Sequence, residues 1–257
     1  MTVTVLFDGT FDGFLTIIHN HFYKKIRPDY IELEDCYQQR FDTNYYLART
    51  DVDKASTVLN AILEKISGDM ANTLYYAFLS ASPGRFIYMY KYVVLGFKHG
   101  KGIDKHLHED CVLNTINIAR KASRERGRLV EFLRFSETRT GVFYADISPE
   151  NNILAPLADF FTKRFMNMQF MIHDVKRGLV AVYDTKECVF HEAPDDIEVL
   201  LSNEEISYQK LWGGYYETAA NPERANKKLQ RLLLPLKYRK HMTEFKYIDD
   251  KKPIIKR

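Results

Sequence analysis

Between Trp212 and Met242 the sequence WGGYYETAANPERANKKLQRLLLPLKYRKHM sets aromatic rings beside clustered cations, the residue types that hold a polyanion. Arg224, Lys227, Lys228 and Arg231 fall at i, i+3, i+4 and i+7 and share one helix face, while Ala225, Leu229, Leu232 and Leu233 take another. A cationic stripe neutralises phosphates, and Trp212, Tyr215 and Tyr216 offer rings on which bases stack. Lys237, Arg239 and Lys240 extend the basic run. The competing reading is a solvated amphipathic face next to a buried aromatic cluster, the commoner fate of both residue types.

Other groupings carry weaker chemistry. Asp8 and Asp12 flank a glycine turn between a strand and a helix, where carboxylates can converge on a metal or a reacting group. A turn residue and an N-cap account for the same two aspartates more simply. His106, His108, Asp110 and Cys111 form the densest set of metal-ligand types, but no single helix face carries three of them, so no metal is expected. His19 and His21 point in different directions on their helix. The chain has no P-loop, no Gly-rich dinucleotide fingerprint and no G-x-S-x-G elbow, and no cofactor is expected. Arg134, Arg139, Lys163, Arg164, Lys176 and Arg177, with Tyr144, form a second candidate nucleic-acid surface on a sheet.

The charge is divided unequally. From Ile206 to Arg257 there are 13 Lys and Arg against 5 Asp and Glu, a net +8 in a chain whose total is +3, so residues 1–205 carry −5. A hydrophobic content of 46% over 257 residues supplies a substantial core. Cys36, Cys111 and Cys188 are isolated and odd in number, as reduced cytoplasmic thiols would be. The opening MTVTVLFDGTFDG lacks the basic and apolar regions of a signal peptide, and no run approaches the roughly 18 apolar residues of a membrane span. A soluble, cytoplasmic chain with no membrane partner is expected.

These groups must be positioned by elements legible from periodicity. Thr2–Phe7 predicts a strand, residues 12–25 a helix, and Thr43–Arg49 a further strand. Val52–Ile66, Met70–Ala81, Arg85–Gly96 and Lys105–Arg126 predict a helical layer. Beyond Gly127 the pattern predicts strands at Leu129–Ser136, Val142–Ser148, Gln169–His173 and Leu179–Tyr183, with an amphipathic helix at about 152–168 covering one antiparallel sheet. Asp195-Asp196 is expected to open a helix reaching about Tyr216, and Asn221-Pro222-Glu223 to open the basic helix. The fold class is α+β: an N-terminal strand with a helical layer (1–127), then a small antiparallel sheet in a hairpin–helix–hairpin unit with basic C-terminal helices (128–257).

LRFSE at 133–137, YADISPENNILAPLADFFTKRF at 144–165 and the segment from Trp212 to Met242, together with the opening VLFDGTFDGFLTII, resemble the DUF4130 family. That family is described as a DNA-metabolism or DNA-repair family linked to radical-SAM proteins. The resemblance implies DNA and a radical-SAM protein as partners. The sequence has no CxxxCxxC, so an iron–sulfur cluster would belong to the partner. A DNA-binding role is therefore expected, with an enzyme acting on DNA, glycosylase- or nuclease-like, and a protein-interaction subunit as alternatives. Oligomeric state leaves no signal in the sequence.

Overall fold

A computed structural model describes residues 2–37, 43–194, 197–219, 221, 223 and 225–245. The fold is α+β, and backbone contacts divide it into two units, Met1–Arg124 and Glu125–Arg257.

The first unit begins with β1 (Thr2–Phe7), α1 (Phe11–Lys24), β2 (Tyr30–Leu33) and β3 (Thr43–Leu47). The strands form a parallel sheet in the order β2-β1-β3, because α1 returns the chain so that β2 starts beside the start of β1. β2 escapes a periodicity reading: it is short and only Ile31 in it is fully buried. The helical layer follows as α2 (Val52–Lys65), α3 (Gly68–Leu79), α4 (Arg85–His99) and α5 (Asp110–Phe132). Asp51 and Ser67 cap α2 and α3 by accepting from the N–H groups of Lys54 and Met70. Phe7, Phe14, Ile18, Ile62, Met70, Met89 and Tyr92 are fully buried in the core of this unit.

The strand expected at Leu129–Ser136 is a helix as far as Phe132. The buried residues of α5 (Val112, Thr115, Ala119, Ala122, Glu125 and Leu129) recur every three to four positions straight through Gly127, and that continuous stripe outweighs the cost of one glycine.

The second unit contains β4 (Ser136–Glu137), β5 (Phe143–Ile147), α6 (Leu154–Arg164), β6 (Phe170–Asp174), β7 (Leu179–Tyr183) and β8 (Cys188–Glu192), then α7 (Asn203–Ala219), α8 (Lys227–Leu233) and α9 (Leu236–Arg239). The sheet runs β4-β5-β6-β7-β8 and is mixed rather than wholly antiparallel: β5 and β6 are parallel because α6 crosses over between them. α6 packs on β6, β7 and β8 and buries Leu157, Ala158 and Phe161. Phe161 meets Phe135 edge-on at 5.1 Å and stacks on Phe165 at 5.7 Å. The inward alternation of β5, Ala145 and Ile147, leaves Tyr144 and Asp146 on the opposite face.

α7 begins at Asn203, after Ser202 accepts from the N–H of Glu205. Residues 197–202 are not helical: Ser202 donates its N–H to the Glu137 carbonyl and Arg139 donates to that of Leu200, so this segment is held against β4 instead. Asp195 and Asp196 lie outside the described residues.

Candidate nucleic-acid surface and polar cleft

The basic helix starts later than its sequence suggests. Asn226, not Asn221, is the N-cap, accepting from the Leu229 N–H, and α8 has seven residues. Asn221 instead accepts from the Glu223 N–H in a local turn. Arg224 lies outside the described residues. Lys227, Lys228, Arg231 and Lys240 are exposed. The expected packing face does not pack: Leu229, Leu232 and Leu233 are 50%, 71% and 65% exposed.

Two of the other cations are occupied. Lys237 forms ion pairs with Glu150 at 2.8 Å and Glu125 at 3.1 Å. Burial works against its charge, yet Glu150 and Glu125 win and raise its pKa above the ordinary lysine value. Arg239 donates its Nε–H to the Leu234 carbonyl at 3.1 Å and lies 4.8 Å over the Phe245 ring. Both side chains fasten the C-terminal segment and are poor candidates for phosphate.

The aromatics separate likewise. Trp212 and Tyr215 stack on α7 with centroids 5.7 Å apart and are 43% and 62% exposed. Tyr216 is tucked in, edge-on to Phe245 at 5.7 Å, its hydroxyl accepting from Gln230 at 3.2 Å. Among the sheet cations, Arg177 is tied to buried Asp174 and to the carbonyls of Pro149 and Glu150, and Lys163 pairs with Asp159. Arg139, Arg164 and Lys176 are exposed.

The outer face of β5 lines a cleft of about 260 Å³ with Arg134, Ser136, Tyr144, Asp146, Val199, Leu201, Gln209, His241 and Thr243. Its polar groups are held from behind. Glu244, almost fully buried, binds Arg134 at 3.0 Å and accepts from the Trp212 indole at 3.4 Å. Gln209 donates to Ser136 at 2.9 Å and to Glu205 at 2.7 Å. Burial and then the Asp146 charge push the Tyr144 phenol up to about 12, and its hydroxyl shares a hydrogen bond of 2.9 Å with Nδ1 of His173. His173 is lowered by burial, against the pull of Asp146 and Asp174.

Asp146 accepts from Nδ1 of His241, whose Nε2 lies 3.0 Å from the Ser148 hydroxyl. Carboxylate, imidazole and serine follow one another in the order of a nucleophilic triad. Ser148 is not among the residues lining the cleft, and the His241 ring is held between Asp146 and Ser148. Sequence reasoning missed this site because its residues come from five separate segments. The alternation of β5 placed Tyr144 correctly, but no spacing rule links it to His241.

Elsewhere in the second unit, burial pushes Glu125 up, but the N–H groups of Glu150 and Asn151 and the Lys237 ammonium outweigh it and hold the carboxyl below the ordinary glutamate range. Asn151 also donates its side-chain amide to Glu125 at 2.6 Å.

In the first unit Asp8 accepts from the N–H and hydroxyl of Thr10 at 3.0 and 2.8 Å and from the Thr50 hydroxyl at 2.7 Å. Burial alone would raise Asp8, but these donors lower it. Thr10 caps α1 by accepting from Gly13, and Asp12, expected to be the cap, sits in the first turn. A Cβ at Gly13 would lie 2.4 Å from Asp8 and 2.6 Å from Thr50, so this glycine is required for the close approach. Asp8 is therefore a structural acceptor joining α1 to the end of β3. The rings of His106 and His108 are 5.5 Å apart, and among the described residues no three His, Cys, Asp or Glu side chains gather as metal ligands.

Residues 83–244 match the DUF4130 family, described as a domain of unknown function, and the chain belongs to that family. No curated protein matches the chain. No helix among the described residues is long and apolar enough to cross a membrane.

Proposed function

We propose that the protein binds DNA through its second unit, as a component of a cytoplasmic repair or modification system whose radical chemistry resides in a radical-SAM partner. The observation that carries this reading is the solvent-facing stack of Trp212 and Tyr215, since two stacked rings left in water form a platform for unpaired bases. Lys227, Lys228, Arg231 and Lys240 supply unburied positive charge in the same C-terminal unit. Single-stranded DNA is the preferred form, because stacking needs bases free of a duplex. DNA-binding assays across a salt series test the reading. Each phosphate contact contributes a log–log slope of about −0.7 on single strands, so Lys227→Ala with Lys228→Ala should make it shallower by roughly 1.4. Trp212→Ala should weaken binding without changing that slope. An unchanged slope in the double variant, or no wild-type affinity near 0.1 M salt, refutes it.

The exposed leucines of α8 favour a second reading, a protein-interaction subunit that meets the radical-SAM partner without touching DNA. Leu232→Glu with Leu233→Glu then abolishes partner binding, and the wild-type protein shows no DNA affinity near 0.1 M salt.

A further inference from the structure

We infer that a second cleft, in the first unit, binds a free α-amino acid with an apolar side chain. The inference is independent of the DNA reading and adds a small-molecule site to it. The cleft has a volume of about 300 Å³, at the small end of the range for ligand pockets, which suits an amino acid better than a nucleotide. Asn72 and Thr73 enter it from α3, and Ile116 and Arg120, four positions apart on one face of α5, line another side. Asp104 reaches it from the short helical turn Ile103–Lys105, with Leu107 just beyond.

The ligand class follows from two opposite charges that share the cleft without satisfying one another. Among the described residues the Arg120 guanidinium has no ion pair and no hydrogen bond, and Asp104 pairs with no cation. Asp104 is aimed by one bond, from the hydroxyl of fully buried Tyr92 to its Oδ1, so Oδ2 is left to accept from a ligand. A phosphate or a simple carboxylic acid would answer Arg120 and set its own charge against Asp104, and an amine would do the reverse. An α-amino acid carries an ammonium and a carboxylate on one carbon and matches both. The side chains of Asn72 and Thr73, which make no hydrogen bond within the described residues, add neutral donors and acceptors. Leu107, 48% exposed, and Ile116 form an apolar wall, and a ligand side chain laid on Leu107 removes it from water.

Calorimetric titration of the full chain with leucine, leucinamide and isocaproate tests the site, since the second ligand lacks the carboxylate and the third the ammonium. Leucine should bind at least about tenfold more tightly than either, the contribution expected of one hydrogen bond to a charged group. Arg120→Gln should bring leucine down to the affinity of leucinamide and leave leucinamide itself unaltered. Asp104→Asn, whose amide oxygen still accepts from Tyr92, should bring leucine down to the affinity of isocaproate. Glutamate should bind more weakly than leucine, because its side chain cannot use the apolar wall. The wild-type titrations decide even if a variant folds poorly. No leucine binding at millimolar concentration, equal binding of leucine, leucinamide and isocaproate, or leucine binding that neither substitution weakens overturns the site. Glutamate binding as tightly as leucine overturns the choice of an apolar side chain.

Discussion

Glu125 is the residue on which the second unit's polar interior converges. It is 5% exposed and accepts from two backbone N–H groups, the Asn151 amide and Lys237. Replacing it with Gln keeps the shape but removes the charge and one acceptor, so the amide N–H groups aimed at that oxygen lose their partner. Glu125→Gln should lower stability by about 1–3 kcal/mol at neutral pH. The carboxyl is held below its unfolded value, so its contribution is present above the ordinary glutamate range and is lost as pH falls through the folded value. Thermal melts of both proteins from pH 7 to pH 3 should therefore converge toward acid. A gap that stays constant across that range contradicts this account. At the same scale, Asp8 shows why residue type alone misleads. Its position after β1 was legible, but its three hydroxyl and amide donors were not, because Thr50 lies 42 residues away.

Among the elements, α8 departs most from its sequence pattern. The i, i+3, i+4 spacing of Leu229, Leu232 and Leu233 implies a packing face, and all three side chains are exposed. Substituting Leu232 and Leu233 by Glu should accordingly change the stability of the isolated protein by no more than about 0.5 kcal/mol, measured by denaturant unfolding. A loss of several kcal/mol would show that these leucines are covered in solution. Amphipathic spacing says that a helix has two faces, and only a neighbour decides whether the apolar one is buried. The same limit explains β4, reduced to two residues: an apolar run beyond Gly127 suits a strand or a helix equally, and the buried stripe entering from α5 settled it as helix.

At the scale of the whole molecule, the division into contact-dense units falls between Arg124 and Glu125, inside α5. A helix with a continuous buried stripe resists local opening, whereas a seven-residue helix with exposed leucines opens readily. Brief digestion with trypsin should cut after Lys227, Lys228 or Arg231 while bonds in 120–128 stay intact, as mass spectrometry of the first fragments would show. First fragments ending at Arg124, Arg126 or Arg128 would contradict the continuity of α5.

The sequence alone determined what depends on near neighbours. The spans of α1 to α4, the alternation of β5, and the net +8 of the C-terminal fifth follow from periodicity and residue type, which act within a turn or a pair of strand positions. Tertiary structure decided the rest. Strand pairing in parallel registers, the commitment of Lys237 and Arg239 to internal partners, and the meeting of Arg134, Tyr144, Asp146, Gln209 and His241 in one cleft depend on contacts between distant segments. Such contacts are selected by packing and by the cost of burying an unmatched charge, and spacing along the chain carries neither.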